Sequence, residues 1–167
     1  MKQVNLNKLV EVVVLYCKAN GLRISPLKLQ KILYYIQSWH LANFDGDNLF
    51  DELPQAWVNG PVYRSVYNQF KDSFYRNDDI PFDLGGKNAE DLLNNKIQSL
   101  GINKKQIGVI NSVLKFYAPQ DEGTLVLKTH ADKPWNKARK GLEPFERSTN
   151  IIKEKWMCDF YGAMLDK

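Results

Sequence analysis

Two histidines, two cysteines and a short run of carboxylates are the side chains of this 167-residue chain whose types could do chemistry. His130 is the best candidate for a general base. Thr129 precedes it, and Thr124 lies about one and a half helical turns before it. A catalytic imidazole needs a carboxylate or equivalent to orient it, and no spacing in the sequence supplies one. A structural role at a helix end is therefore the preferred reading of His130, and a His130-dependent enzyme the lesser one. Cys17 and Cys158 fall in separate helical patterns with no Cys-x-x-Cys, so free buried thiols are expected and a zinc site is not. Asp45, Asp47 and Asp51 faintly suggest a calcium loop. Gly46 is not at its sixth position, and no glutamate closes it at the twelfth, so a plain turn is expected. There is no phosphate-binding Gly-x-x-x-x-Gly-Lys, dinucleotide Gly-x-Gly-x-x-Gly or His-Glu-x-x-His. The expectation is no metal, no cofactor and no enzyme.

The elements that position these residues are mostly helices. Leu6, Leu9, Val10, Val13 and Cys17 recur at helical spacing, which predicts a helix over residues 5–20 stopped by Gly21. Its extra apolar residues on other faces predict a central position. Ser25-Pro26 predicts the start of a second helix ending near Asn43. Leu29, Ile32, Leu33, Ile36 and His40 form its apolar face; Lys28, Lys31, Tyr35 and Ser38 read as a more polar one. Residues 50–58 read as irregular or short strand, and Asn59-Gly60-Pro61 as a turn followed by a helix start. Tyr63, Tyr67, Phe70 and Phe74 form an aromatic stripe on that helix, mostly core, with the tyrosines best placed to reach a binding surface. After a loop over residues 76–90 come helices near 91–100 and from the Asn103/Gln106 capping box to Pro119. Short helices follow at 122–128 and 134–140, and a last one spans 149–166. The fold class is mainly α: a compact single-domain bundle of six to seven helices over residues 1–167, with at most a small irregular β element.

Composition agrees with a real core, at 44% hydrophobic and 12% aromatic residues. The net charge of +4 is too small to mark a dedicated nucleic-acid binder. Residues 40–60 carry four acids and no Lys or Arg, whereas residues 128–140 carry five basic groups and one acid, Asp132. Two solvated loops are the plainer reading of this asymmetry, and steering of a charged partner the sharper one. Residues 5–43 have the helix–turn–helix arrangement of a DNA-binding unit. Leu33, Tyr34, Tyr35, Ile36 and Trp39 make the second helix too apolar to read a groove, which favours an antiparallel core hairpin. No apolar run is long enough to span a bilayer, and the N-terminus does not read as a signal peptide, so a cytoplasmic location is expected.

Three clusters together resemble the Panacea (SocA-like) antitoxin family, with a motif-bearing part at about residues 9–140. The first runs from Leu27 to Gln37 with Trp39, and contains Lys28, Lys31 and Tyr34. The second has Leu49, Phe50 and Glu52, then Trp57, Gly60, Pro61 and Val62, with Tyr67 and Phe70 beyond. The third has Leu125, Thr129-His130 and Pro134-Trp135 with Ala138-Arg139. The resemblance implies an interaction protein that binds and neutralises a cognate toxin of a bacterial or prophage toxin–antitoxin system. Delivery of the toxin to a ClpXP-type protease is a subordinate form of that role. It implies a protein partner and transfers no catalytic residues. A nucleic-acid-binding regulator, acting through residues 128–140, is the alternative. Read on their own chemistry, Gly60 sets a tight turn, and Trp57 and Trp135 fill the core or a groove more readily than they touch a partner.

Overall fold

The computed structural model describes residues 1–165. Among the described residues, seven α-helices and one two-stranded hairpin surround an eighth, long and buried helix. The helices are α1 (Leu6–Ala19), α2 (Pro26–Asn43), α3 (Arg64–Phe70), α4 (Ala89–Ser99), α5 (Lys104–Tyr117), α6 (Glu122–His130), α7 (Lys133–Ala138) and α8 (Glu154–Leu165). The hairpin joins β1 (Gln55–Trp57) to β2 (Gly60–Val62). The mainly α class is as the sequence predicts, with one helix more than expected among the described residues.

Local chemistry sets several boundaries. Asn5 caps α1 through Lys8 N, and Gly21 just beyond its end takes φ +65°. Ser25 caps α2 ahead of Pro26, whose missing N–H costs nothing in a first turn. Asn103 and Gln106 form a reciprocal capping box on α5.

The centre of the fold is α2 more than α1. Fifteen of its 18 residues are buried, as it packs against α1, α3, α5, α6, α8 and β2. The expected polar face of Lys28, Lys31, Tyr35 and Ser38 is buried with the rest. Four polar side chains of α2, Lys28, Gln30, Lys31 and Gln37, bond backbone atoms of other segments, whereas the buried Ser38 hydroxyl has no partner. Gln30 donates to Tyr63 O at 3.2 Å and accepts from Tyr63 N at 2.8 Å. Gln37 donates to Phe50 O and accepts from Leu49 N, both at 2.8 Å. Each amide thus pairs with a backbone N–H and C=O as a neighbouring strand would, holding the irregular chain on either side of the hairpin. Lys28 Nζ donates to Arg23 O and, at 2.6 Å, to Ala118 O at the C-terminal end of α5.

Three other expectations are corrected. Gly60 and Pro61 do not turn into a helix; they form β2, paired with Trp57 and Ala56 across a two-residue loop, and α3 starts only at Arg64. The aromatic stripe is not on one helix, because α3 ends at Phe70 and a 3-10 turn (Lys71–Ser73) follows. Tyr63 and Phe74 are buried, while Tyr67 and Phe70 are half-buried. The last helix begins at Glu154, since residues 150–152 run beside β1. Ala56 N donates to Asn150 O, and Ile152 N donates to Pro54 O.

Of the two free thiols, Cys17 is buried and Cys158 only half-buried. No helix among the described residues is long and apolar enough to cross a membrane.

Candidate functional site

The singled-out residues fall into an interior node and a surface groove, with the β1–β2 hairpin between them. In the node, Lys31 on α2 is fully buried and its amine donates to Pro61 O at 3.2 Å. Gly60, at φ +111°, lies against the Lys31 stem and the Thr129 hydroxyl, which itself donates to Val126 O. Burial with no carboxylate in contact pushes the Lys31 amine down to about 7.

A second buried cluster adjoins it. Asp132 caps α7 through Trp135 N at 3.0 Å and accepts from Tyr34 Oη at 2.7 Å and Tyr161 Oη at 2.5 Å. One carboxylate thereby ties α2, α7 and α8 together. Burial raises its pKa, opposed by the three hydrogen bonds it accepts. Pro134 is buried in the first turn of α7. Trp135 is also buried and donates its indole N–H to Trp57 O at 2.9 Å. Arg139 stacks on Trp135 and donates to Ala56 O, Glu143 O and Glu146 O, which fixes the loop after α7.

The other face of the hairpin opens into a groove of about 510 Å³. Trp57, Tyr67, Phe74 and Tyr75 supply its aromatic walls, and Arg64 and Arg147 its charge. The Arg64 guanidinium sits 5.6 Å from the Trp57 ring centre and 5.7 Å from that of Tyr67. A wider concavity of about 830 Å³ lies between α2 and α5, with Trp39, Phe44, Phe116 and Tyr117 on its walls.

A family model described as "Antitoxin SocA-like, Panacea domain" matches residues 29–136, well over half of the chain. The chain belongs to this Panacea family. Lys31, Tyr34, Trp57, Gly60, Pro61, Tyr67, Thr129, His130, Pro134 and Trp135 all lie inside the match. Lys28 lies one residue before it, and the match is narrower than the expected 9–140. No curated protein and no solved structure matches the chain.

In this Panacea domain most of the singled-out residues are buried. Lys31, Tyr34, Gly60, Pro61, Thr129, Pro134 and Trp135 converge on the buried node, and Lys28 ties α2 to α5. Trp57 and Tyr67 reach the groove instead. His130 is exposed and its ring stacks on Trp135 at 5.4 Å, while its backbone carbonyl accepts from Asn136. Lys31, Asp132, Tyr34 and Tyr161 are all buried. The basic segment is partly engaged within the protein, and Lys133 and Lys140 are exposed. Arg139 is buried, Lys128 lies over Phe116 and Tyr117, and Lys137 lies over Trp156. The acidic segment is likewise engaged, with Asp47 paired to the N-terminal ammonium and Glu52 accepting from Ser65.

Sequence reasoning overlooked Asp132, Gln30, Gln37, Arg64 and Arg147 as functional or organising residues. Asp132 had a local signal, an Asp two residues before a proline at a helix start. The others had none, since their roles depend on contacts distant in sequence.

Proposed function

We propose that this protein is an antitoxin that neutralises a cognate protein toxin by binding it directly and covering its working surface. The family match carries this reading. The groove supports it, because exposed aromatic and arginine side chains on a pinned scaffold are the usual composition of a protein-binding hot spot. An interface of standard size would bury about 800 Å² on this protein, more than the groove alone offers. The groove would then be the centre of a wider contact including the hairpin tip and the loop bearing Arg147.

The test is to induce the neighbouring gene alone and then together with this one. Growth arrest that this protein relieves, with the two products purifying as a complex, is the expected result. An innocuous neighbour that does not co-purify would overturn the reading. Proteolytic delivery is the finer alternative. It predicts that the toxin's half-life in the complex lengthens when ClpXP is removed, whereas neutralisation by occlusion leaves that half-life unchanged.

A further inference from the structure

The groove beside the hairpin holds two arginines and no acid. Neither Arg64 nor Arg147 forms an ion pair or a side-chain hydrogen bond among the described residues, and both are exposed. The Arg64 side chain has aromatic neighbours, and Arg147 is placed through the backbone of its loop. Arg64 lies within cation–π distance of both Trp57 and Tyr67, and its N–H groups have no protein acceptor among the described residues, so they can meet a carboxylate. Arg147 is on the loop that Arg139 pins through Glu143 O and Glu146 O. Between them lie flat apolar walls: Trp57, Tyr67 and Phe74 meet edge to face at 4.8–6.0 Å between ring centres.

We propose that this groove takes an acidic segment of the protein partner that also carries an aromatic side chain. Its carboxylates pair with Arg64 and Arg147, and its ring packs on Trp57, Tyr67 and the exposed Tyr75, over the buried Phe74. The identity of the segment's owner as a toxin rests on the function proposed above; the ligand chemistry does not. A nucleotide fits the groove less well. The backbone N–H of Ser65 in the first turn of α3, where a phosphate would sit, already donates to the Glu52 carboxylate. The N–H of Tyr63 just before it donates to Gln30.

The test uses end-blocked pentapeptides that alternate glutamate with phenylalanine, lysine with phenylalanine, or glutamate with serine, together with AMP. Binding is followed through the Trp57 indole N–H resonance, which reports on the groove wall. The glutamate–phenylalanine peptide is expected to saturate with a Kd of about 0.1–1 mM, weakening as salt is added. The other two peptides should bind at least about tenfold more weakly. The double variant R64E/R147E changes only exposed side chains. It should keep the wild-type melting temperature and lose at least about tenfold in affinity for the acidic peptide. Equal response to the lysine peptide, response to AMP alone, or indifference to the charge reversal would each overturn the inference.

The same variant separates this inference from the proposed function. A neighbouring gene product that co-purifies with wild type and equally with R64E/R147E removes the groove from the interface and leaves the antitoxin reading standing. Peptide binding as expected, with no co-purifying toxin, sinks the antitoxin reading and upholds the groove's chemistry.

Discussion

Lys31 and Gly60 divide a space that holds only one side chain. A Cβ placed on Gly60 would come 2.8 Å from Lys31 Cε and 2.8 Å from the Thr129 hydroxyl. Both neighbours are buried and hydrogen-bonded, so neither can retreat without losing a partner. The backbone of Gly60, at φ +111°, also lies in a region that residues with a Cβ avoid. Gly60→Ala is therefore expected to cost about 2–5 kcal/mol, from backbone strain and overpacking together. Urea denaturation measures it. A loss below about 0.5 kcal/mol would mean that the hairpin shifts freely on α2.

The buried amine of Lys31 makes stability depend on pH. Its pKa falls from 10.5 in the unfolded chain to about 7 in the fold. Between those values the unfolded state binds the extra proton, so stability rises with pH. The rise starts near 7 and is limited to about 1.4 kcal/mol per pH unit. Lys28, whose pKa burial also lowers, adds a slope of the same sign, so the Lys31 share is read from the difference between wild type and a Lys31 variant over about pH 7 to about pH 8.5. His40, held neutral by burial, acts only as pH drops below about 6.5. Cys17, pushed up from 9.0 to about 11, cancels that slope only once unfolded thiols ionise. Lys31→Met should reduce the slope in this window, while leaving Pro61 O without its buried donor offsets part of what removal of the buried amine gains. An unchanged slope in the variant would show that the native amine stays charged.

Where the sequence was readable and where it was not follows from the range of the interactions involved. The start and end of α2 rest on Ser25, Pro26 and the chain just after Asn43, and they were legible. So was the start of α5, where Asn103 and Gln106 bond each other. The burial of α2's polar side chains was not legible, because Gln30, Lys31 and Lys28 find acceptors 30 or more residues away, at Tyr63, Pro61 and Ala118. Lysine and glutamine next to tyrosine and serine look solvated until those acceptors are in place. The late start of α8 has the same cause: Asn150 O is taken by Ala56 N, which keeps residues 150–152 extended. The groove was half legible. Trp57 and Tyr67 stood out as large aromatics, but Arg64 and Arg147 gain meaning only when the hairpin and the post-α7 loop meet.

Asp132 should behave as a three-way tie. Replacing it with alanine removes the α7 cap and leaves the Tyr34 and Tyr161 hydroxyls buried without an acceptor, an expected cost of about 3–5 kcal/mol. Tyr34→Phe removes one donor and should cost only about 1 kcal/mol. In the double variant the losses should be less than additive, because the tyrosine no longer has an acceptor to lose. Strict additivity in chemical denaturation would argue that Tyr34 is not coupled to Asp132.

His130 serves as a control on the catalytic alternative. Its ring is exposed and touches Trp135 by stacking, and its chain contribution is a backbone carbonyl that any residue retains. His130→Ala should cost no more than about 1 kcal/mol and leave growth rescue by the protein intact. A folded variant that fails to rescue would revive a chemical role for the imidazole.

The two tryptophans of the hairpin region separate folding from recognition. Trp135 is buried, stacks under Arg139 and holds Trp57 O through its indole N–H, so Trp135→Ala should cost about 3–5 kcal/mol. Trp57 is half-buried at the groove wall, with its own N–H on Gln55, and Trp57→Ala should cost only about 1–2 kcal/mol. Its larger effect should fall on partner binding, because removing the ring frees Arg64 and opens the wall together. Thermal melts and co-purification on the same two variants check this. A Trp57→Ala protein that melts near wild type yet no longer holds its partner is the expected outcome. Retained binding at wild-type affinity would place the recognition surface elsewhere, with the concavity between α2 and α5 as the next face to mutate.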